Sequence, residues 1–317
     1  MSVLSVRHLT TYSYKTPVRF GEHRIMFRPR DSYDQRLISS DLVIEPEPRR
    51  LRWLHDVFGN CVAIASFSKP AAQLRFDTRI VLDHTPLNTP DFSIEDFART
   101  YPFTYGPDEM PDLARLIERQ YLDPEHALDQ WVRRFVHRGR ETETAKLLMT
   151  MTYAIKESFT YSRRLEHGTQ DPITTLTTRK GTCRDFAVLM IEAARALGLA
   201  ARFVSGYLNV PSDTGDTSHK GGGNTHAWCQ IYLPGAGWVE FDPTNGIVGN
   251  RDLIRVAVAR DPRQAVPLSG TYFGDAAAFS GMTVSVDVRE IAPFHPTLQD
   301  LDDAALGEGP HDRAVLA

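Results

Sequence analysis

The sequence predicts an α+β protein, and three observations along its 317 residues lead to that prediction. The first 90 residues consist of short runs rich in β-branched and aromatic residues, separated by proline and glycine, which is typical of strands and turns. Apolar residues at helical spacing follow in the middle of the chain. Two alternating runs joined by Pro234-Gly235-Ala236-Gly237 then predict an antiparallel hairpin.

Composition narrows the function classes. The chain is 42% apolar and 24% charged, as soluble globular proteins are. Its net charge of −4 and its scattered arginines argue against nucleic-acid binding, which needs a concentrated basic surface. We see neither a signal peptide nor an apolar run of membrane-spanning length, so we expect a cytoplasmic protein without membrane contact. Three cysteines are too few and too scattered for a disulfide framework or a zinc site.

Residues 1–90 are predicted to form a β domain that resembles a small sandwich. The predicted strands are Val3 to Tyr14, His23 to Arg28, Leu37 to Glu45, Arg49 to His55, Cys61 to Phe67 and Leu74 to Leu82. Pro17 and Gly21 are among the expected turn residues. The run from Asp56 to Asn60 predicts a hairpin turn in which Gly59 or Asn60 adopts a positive φ.

A second domain is predicted at residues 91–292, with a proline-rich linker at its start and a loosely ordered tail at 293–317 after it. Predicted helices cover about Asp112 to Gln120, Pro124 to Val136 and Glu143 to Phe159. A strand from Ala200 to about Val210 and the hairpin follow, and Leu253 to Val258 and Thr283 to Val288 are expected to complete their sheet. The stretch from Pro211 to Asn224 lacks a hydrophobic pattern and predicts a loop that could act as a lid.

The stretch from Lys180 to Leu199, K-G-T-C-R-D-F-A-V-L-M-I-E-A-A-R-A-L-G-L, predicts a helix that begins with a cysteine. Thr182 is a good N-cap, and Asp185 three residues later can complete a capping box. Cys183 would therefore lie in the first turn, where unpaired amides and the helix dipole favour an anion and hence a reactive thiolate. The alternative is an ordinary half-buried thiol.

Alternation along the hairpin strands predicts which side chains share a face. In the first strand one face carries His226, Trp228 and Gln230, and in the second strand one face carries Trp238, Glu240 and Asp242. If the turn is centred on Pro234, His226 lies opposite Asp242 with Cβ atoms about 5 Å apart, close enough for a carboxylate to hold an imidazole nitrogen. A slip of one residue would break this pairing.

The other two cysteines have no comparable setting. Cys229 alternates to the face opposite His226, and Cys61 lies among the N-terminal strands, so we expect both to be packed in apolar surroundings. A cysteine, a histidine and an aspartate are the components of a thiol acyl-transfer site, with the amide of Cys183 as an oxyanion donor. The alternative is that His226 is an aromatic strand residue and Asp242 a turn former before Pro243.

Three motifs in order resemble the transglutaminase-like superfamily, and in particular its bacterial branch of transglutaminase-like cysteine proteases. They are K-G-T-C-R-D-F with its helix, T-H-A-W-C-Q-I-Y-L and G-W-V-E-F-D-P-T-N-G, and the match covers Phe159 to Gly246. H-D-V-F-G-N at residues 55–60 resembles the N-terminal β domain of this branch. The resemblance implies a papain-like core in which the nucleophile helix packs on an antiparallel sheet. It makes Cys183 the nucleophile, His226 the general base and acid, and Asp242 the orienting carboxylate.

The resemblance also suggests residues near the oxyanion or the substrate. Members use an aromatic residue upstream of the cysteine, for which Tyr161 is a candidate, although a packed core tyrosine is an equal alternative. Trp228 is a second candidate for this role. The eukaryotic enzymes are activated by calcium, but this sequence shows no calcium site, so we expect neither a metal nor a cofactor.

The sequence leaves three functions open. The first is a peptidase or amidase that hydrolyses a peptide or isopeptide bond through a thioester on Cys183. The second is a protein-glutamine transglutaminase, in which an amine rather than water resolves the thioester. The third is a catalytically inactive binding module with the same fold. The expected partner is a peptide or protein substrate, and the sequence does not indicate an oligomeric state.

Overall fold

A computed structural model describes residues 2–85, 93–162, 164, 168–209 and 223–292. The structure is α+β, as the sequence predicts: a curled N-terminal sheet precedes a core of helices packed on a five-stranded antiparallel sheet. The strands are β1 Ser2–Ile25, β2 Gln35–Glu45, β3 Arg50–His55, β4 Cys61–Ser66, β5 Ala71–His84, β6 Thr100–Tyr101, β7 Thr142–Glu143, β8 Thr160–Tyr161, β9 Lys180–Gly181, β10 Ala201–Leu208, β11 His226–Leu233, β12 Gly237–Asp242, β13 Ile247–Val248, β14 Leu253–Ala259, β15 Leu268–Phe273 and β16 Phe279–Ile291. The helices are α1 Met110–Ile117, α2 Ala127–Arg133, α3 Thr144–Ser158, α4 Pro172–Thr178 and α5 Cys183–Ala196.

The N-terminal sheet is organised around β1, a single long strand. Its first half pairs with β5 and β16, and its second half pairs with β4 and β15. The prediction of two strands separated by turns at Pro17 and Gly21 is therefore wrong. The chain passes these residues as bulges, with register shifts between Ser13 and Val18 and between Phe20 and His23, because a bulge accommodates proline or glycine without ending a strand.

The last two strands belong to the N-terminal sheet, which corrects the predicted position of Thr283 to Val288. These residues lie in β16, which pairs with β1 from Val3 opposite Ile291 to Tyr14 opposite Phe279. Val286 is buried in a cluster with Leu4, Val6, Ile80 and Leu82 of that sheet. The last strands of the predicted 91–292 domain therefore belong to the N-terminal sheet. The predicted tail at 293–317 lies outside the described residues.

The core sheet has the order β13-β12-β11-β10-β14, and α5 packs against β10 and β11. Phe186, Leu189 and Met190 of α5 are buried with Cys229 and Ile231 of β11 in the main apolar cluster. This arrangement confirms the predicted helix on an antiparallel sheet. It places the first residue of α5 at the end of the sheet where β11 begins.

Helix α4 is absent from the sequence-based prediction, although its signal is present. The Asp171 side chain accepts hydrogen bonds from the amides of Ile173 and Thr174, and Pro172 occupies the first helical position. An N-cap aspartate followed by proline is a recognised helix start. The helix is only 7 residues long, so it lacks the repeated apolar spacing on which helix prediction depends.

The N-terminal domain closes the edge of the core sheet. Strand β14 is one of the two edge strands, and the side-chain amide of Asn60 donates to the carbonyl of Val258 (2.7 Å) and accepts from its N–H (2.9 Å). Asn60 lies in the predicted hairpin turn, in which Gly59 has a φ of 74° and Asp56 accepts from the Asn60 amide. An unpaired sheet edge exposes main-chain donors and acceptors, so this turn satisfies groups that the core cannot pair by itself.

Two sequence-based predictions are not settled by the fold. Within the part of the chain that the structure describes, no helix is long and apolar enough to cross a membrane. The cytoplasmic location remains a prediction. Of the predicted lid from Pro211 to Asn224, only Gly223 and Asn224 fall within the described residues.

Candidate active site

The site starts at the first turn of α5, which begins at Cys183 as predicted. The Thr182 hydroxyl accepts from the amide of Asp185, and the Asp185 carboxylate accepts from the amide of Thr182 (2.8 Å), which completes the capping box. Asp185 is fully buried and also accepts from the Arg164 guanidinium (3.0 and 3.1 Å). These bonds fix the first turn, and the Cys183 side chain is only 7% exposed.

Strands β8 and β9 pair in parallel just before this turn, with Tyr161 beside Gly181. A Cβ atom at Gly181 would lie 2.9 Å from the Cβ of Asp185 and 3.2 Å from the Phe186 ring, so only glycine lets the chain pass this close to the helix. Tyr161 is half-buried and packs against the core cluster. It lies beside the segment that leads into Cys183, and its role near an oxyanion remains a prediction.

His226 and Asp242 form a buried pair. The imidazole Nε2 and the carboxylate Oδ2 are 2.8 Å apart, and both side chains are completely buried. Oδ2 also accepts from the Asn245 side-chain amide (2.8 Å), and Oδ1 accepts from the main-chain amide of Thr244 (2.8 Å). The carboxylate is therefore held in one orientation, as a charged buried group requires. Asn245 was not among the predicted site residues, although its position three residues after Asp242 is a usable signal.

The hairpin register differs by two residues from the predicted one. Leu233 pairs with Gly237, so the turn is centred on Gly235, with a φ of 86°, and not on Pro234. The expected placement of His226 directly opposite Asp242 is therefore wrong. Because side chains alternate with a period of two, a shift of two residues keeps both on the same face, and they meet diagonally.

Cys183 is the third residue of the candidate site and lies next to the His226–Asp242 pair. Burial alone lowers the pKa of His226, but Asp242, by charge and by hydrogen bonding, and then the neighbouring Cys183 outweigh it and raise the pKa well above its ordinary value. Burial raises the pKa of Asp242, but His226, Asn245 and the Thr244 amide prevail and lower it. Nδ1 of His226 is buried and has no hydrogen bond at normal distance within the described chain. Since Nε2 is held by Asp242, Nδ1 is the nitrogen available to the thiol.

Trp228 packs against the His226 ring. It is fully buried, and its ring stacks on His226 with centroids 5.9 Å apart at an angle of 27°. Its indole N–H donates to the carboxylate of Glu240. That donor is therefore already used within the protein, and a role for Trp228 near an oxyanion or a substrate remains a prediction. Glu240 is a buried neighbour of Trp228 that the sequence-based list of site residues lacks.

Of the other two cysteines, Cys229 lies in the packed apolar setting predicted for it, whereas Cys61 belongs to none of the apolar clusters of the described residues, so that prediction is wrong. Cys229 is fully buried on the face opposite His226, and its thiol donates to the carbonyl of Phe241 (3.3 Å). Burial raises its pKa well above the ordinary value, which disfavours a thiolate. Cys61 is half-buried in β4. Among the described residues, no group of three or more histidines, cysteines and acidic residues is placed to hold a metal ion; the expectation of a metal-free reaction stays a prediction.

Comparison with known proteins identifies both parts of the chain. Residues 4–83 match the family model for the bacterial transglutaminase-like N-terminal region, and residues 129–243 match the model for the transglutaminase-like superfamily. An uncharacterised protein of Mycobacterium tuberculosis is 29% identical over 89% of this chain and 91% of its own length. A Mycobacterium leprae protein is 24% identical over 91% of this chain and 99% of its own.

Two further similarities concern proteins whose names state an activity. A protein-glutamine gamma-glutamyltransferase of Pseudomonas aeruginosa is 32% identical over 31% of this chain and 14% of its own length. The crystal structure of a proposed cysteine protease from Cytophaga hutchinsonii superimposes with a TM-score of 0.64 at 19% identity, over 93% of this chain and 92% of that one. The latter similarity shows a shared fold.

Proposed function

We propose, from the premise that this chain belongs to the transglutaminase-like superfamily and carries the bacterial N-terminal region, that it is a cysteine-dependent acyl-transfer enzyme. In this proposal it hydrolyses a peptide or isopeptide bond through a thioester on Cys183. The observation that carries it is the buried His226–Asp242 pair beside a cysteine at a helix start. The proposed substrate is a peptide or protein, and the proposed location is the cytoplasm.

The proposed reaction begins with proton transfer from the Cys183 thiol to Nδ1 of His226, while Asp242 holds Nε2–H and stabilises the imidazolium. The thiolate attacks the substrate carbonyl carbon, and the carbonyl oxygen becomes an oxyanion. The main-chain amide of Cys183, at the start of α5, is directed at that charge, and Tyr161 is a candidate second donor. Collapse of the intermediate breaks the C–N bond, and the departing amine takes the proton from His226.

The thioester is then resolved by water in the hydrolytic reaction. His226 removes a proton from the water, the resulting hydroxide attacks the thioester carbon, and the thiolate leaves as the product acid forms. The same residues therefore act in both halves of the reaction.

Transamidation is the second candidate, supported by the similarity to the Pseudomonas aeruginosa gamma-glutamyltransferase. In that reaction a lysine amine attacks the thioester, and the chain keeps the same three residues. Incubation with a glutamine-containing peptide and a labelled amine distinguishes the two. Release of ammonia or peptide fragments without label supports hydrolysis, whereas incorporation of the amine supports transamidation.

The decisive experiment compares wild type with Cys183→Ala on a peptide library. We expect cleavage by the wild type and none by the variant, with little change in stability. A thiol reagent at neutral pH should also label Cys183 faster than the half-buried Cys61 and the fully buried Cys229. Labelling of Cys183 at the rate of Cys61 would mean that the chain is an inactive binding module.

A further inference from the structure

Trp228 determines the space that the His226 ring can occupy. The indole stacks on the imidazole, and the edge of its six-membered ring lies against the main chain of β10 at Gly206, where there is no room for a side chain. A Cβ atom at Gly206 would lie 2.7 Å from the Trp228 ring and 2.1 Å from the carbonyl oxygen of Ile254. The indole thus contacts both the main chain of β10 and the imidazole, so a movement of Trp228 in this close-packed interior changes the space available to His226.

Glu240 fixes the indole through its N–H. Its carboxylate is 3% exposed and accepts from Trp228 at Oε2, and from Gln230 (2.6 Å) and Arg255 (2.7 Å) at Oε1. A buried carboxylate requires such partners, and the Arg255 guanidinium is the charged one. Without Arg255, Glu240 would keep a negative charge in a buried site or draw in water, and the acceptor of the indole N–H would move.

Arg255 links Glu240 to the N-terminal domain. Its Nη2 donates to Asp34 (3.1 Å) and to the Ser32 hydroxyl (3.0 Å), in the segment between β1 and β2. Burial lowers the pKa of Arg255, but Glu240 and Asp34 outweigh it and raise it, so the guanidinium stays charged. The Gln35 side-chain amide also donates to the main-chain carbonyl of Arg255 (2.8 Å) and accepts from the main-chain N–H of Arg255 (2.9 Å).

We propose that the N-terminal domain is a working part of the active site: Asp34, through Arg255 and Glu240, locks Trp228 against the general base His226. Trp228, Glu240, Arg255 and Asp34 are positioning residues, and the inference rests on the proposed role of His226. Each contact in this chain is a hydrogen bond, an ion pair or a ring contact. The N-terminal sheet would therefore be required for reactivity and not only for stability.

A double-mutant cycle tests this coupling. Asp34→Asn weakens the far end of the chain, and Trp228→Phe keeps an aromatic ring but removes the N–H donor. The readout is the rate at which iodoacetamide alkylates Cys183, measured from pH 5 to 9 in the folded full-length protein by peptide mapping. Because a misplacement of about 1 Å costs about a hundredfold in rate, we expect about a tenfold loss from each smaller displacement. Cys183 in the double variant should be alkylated no more slowly than in the slower single variant, since both substitutions interrupt the same series of contacts.

Asp77→Asn provides the matched control. Asp77 is a buried aspartate of the N-terminal sheet that pairs with Arg7 (2.7 Å) and Arg75 (3.0 Å). It makes none of the contacts that link Asp34 to Trp228. In the double variant of Asp77→Asn and Trp228→Phe, the two losses in Cys183 alkylation rate should multiply. If Asp34→Asn does not fold, Arg255→Lys replaces it, because an ammonium keeps the charge but cannot bridge two carboxylates in the same fork geometry. Glu240→Gln should retain part of the wild-type rate, since it keeps an acceptor for the indole.

The outcomes separate this inference from the proposed function. The positioning role of these residues is refuted if the rate losses of Asp34→Asn and Trp228→Phe multiply. It is also refuted if Asp34→Asn lowers the melting temperature while the alkylation rate and its pH dependence stay unchanged. If wild-type Cys183 reacts no faster than Cys61, the proposed function fails first. Non-additive losses with an active wild type support both.

Discussion

The substitution Asp242→Asn tests the candidate site most directly, because it changes charge with almost no change in shape. The orientation of the new amide is set by its neighbours. The Thr244 main-chain N–H donates to Oδ1, so the amide oxygen must remain there. The amide NH₂ then takes the place of Oδ2, 2.8 Å from Nε2 of His226. Nε2 has to become the acceptor, which moves the ring proton to Nδ1, where the thiol proton would have to go.

Two effects therefore act in the same direction. Asp242 is the largest contributor that raises the pKa of His226, and without its charge the effect of burial prevails and the pKa falls. The imidazole also has the wrong tautomer to accept a proton from Cys183. In a serine protease triad, the equivalent change lowers turnover by about 10⁴. Alkylation depends only on the thiolate, and an unassisted thiol of ordinary pKa is still a few per cent ionised at neutral pH, so we expect a loss of about thirtyfold in Cys183 alkylation there.

Alkylation of Cys183 by iodoacetamide across pH 5–9 provides the assay, with Cys61 in the same molecule as the reference. Wild type should react rapidly at neutral pH, and the variant only as the medium becomes alkaline. Asp261→Asn is the control, because Asp261 is also buried but pairs with Arg263 away from the site. An Asp242→Asn protein with the wild-type pH profile would refute the role of the carboxylate.

The same pair predicts how stability depends on pH. The folded-state pKa of Asp242 is lowered, so its contribution is present above the ordinary value of 3.8 and is lost as the pH falls below it. The folded-state pKa of His226 is raised, so its contribution is complete below 6.5 and is lost as the pH rises above that value. Urea unfolding of wild type and Asp242→Asn should therefore differ most between these limits, and a pH-independent difference would contradict the assignment.

Three further substitutions test the packing around the site. Cys229→Ser puts a hydroxyl into the apolar core, so urea unfolding should show a loss of about 1–3 kcal/mol while Cys183 alkylation is unchanged. Asn60→Ala leaves the N–H and carbonyl of Val258 unpaired, which should lower the free energy of unfolding by about 2–4 kcal/mol; a loss as small as that of the exposed Gln73→Ala would contradict the edge-sealing role. Gly206→Ala forces its Cβ against the Trp228 ring, so the free energy of unfolding should fall by about 1–3 kcal/mol and the rate of Cys183 alkylation should also fall. A wild-type alkylation rate would show that the ring does not move.

The sequence by itself determined the features whose causes are local. Thr182 and Asp185 are three residues apart, so their capping box and the start of α5 at Cys183 follow from the sequence. Alternation with a period of two placed His226 and Asp242 on one face, and Cys229 on the other, even though the predicted register was off by two residues. The family motifs extended these local signals to a fold, and the structure confirms that fold.

Only the tertiary structure decided which segments meet. Apolar alternation shows that a strand has a buried face, but not which sheet buries it, so β16 was predicted in the core sheet and lies against β1. The turn centre moved to Gly235 because glycine accepts the positive φ there. The approach of Cys183 to His226, and the chain from Asp34 to Trp228, join residues far apart in sequence. Such contacts depend on how the sheets and α5 pack together, and no local spacing encodes them.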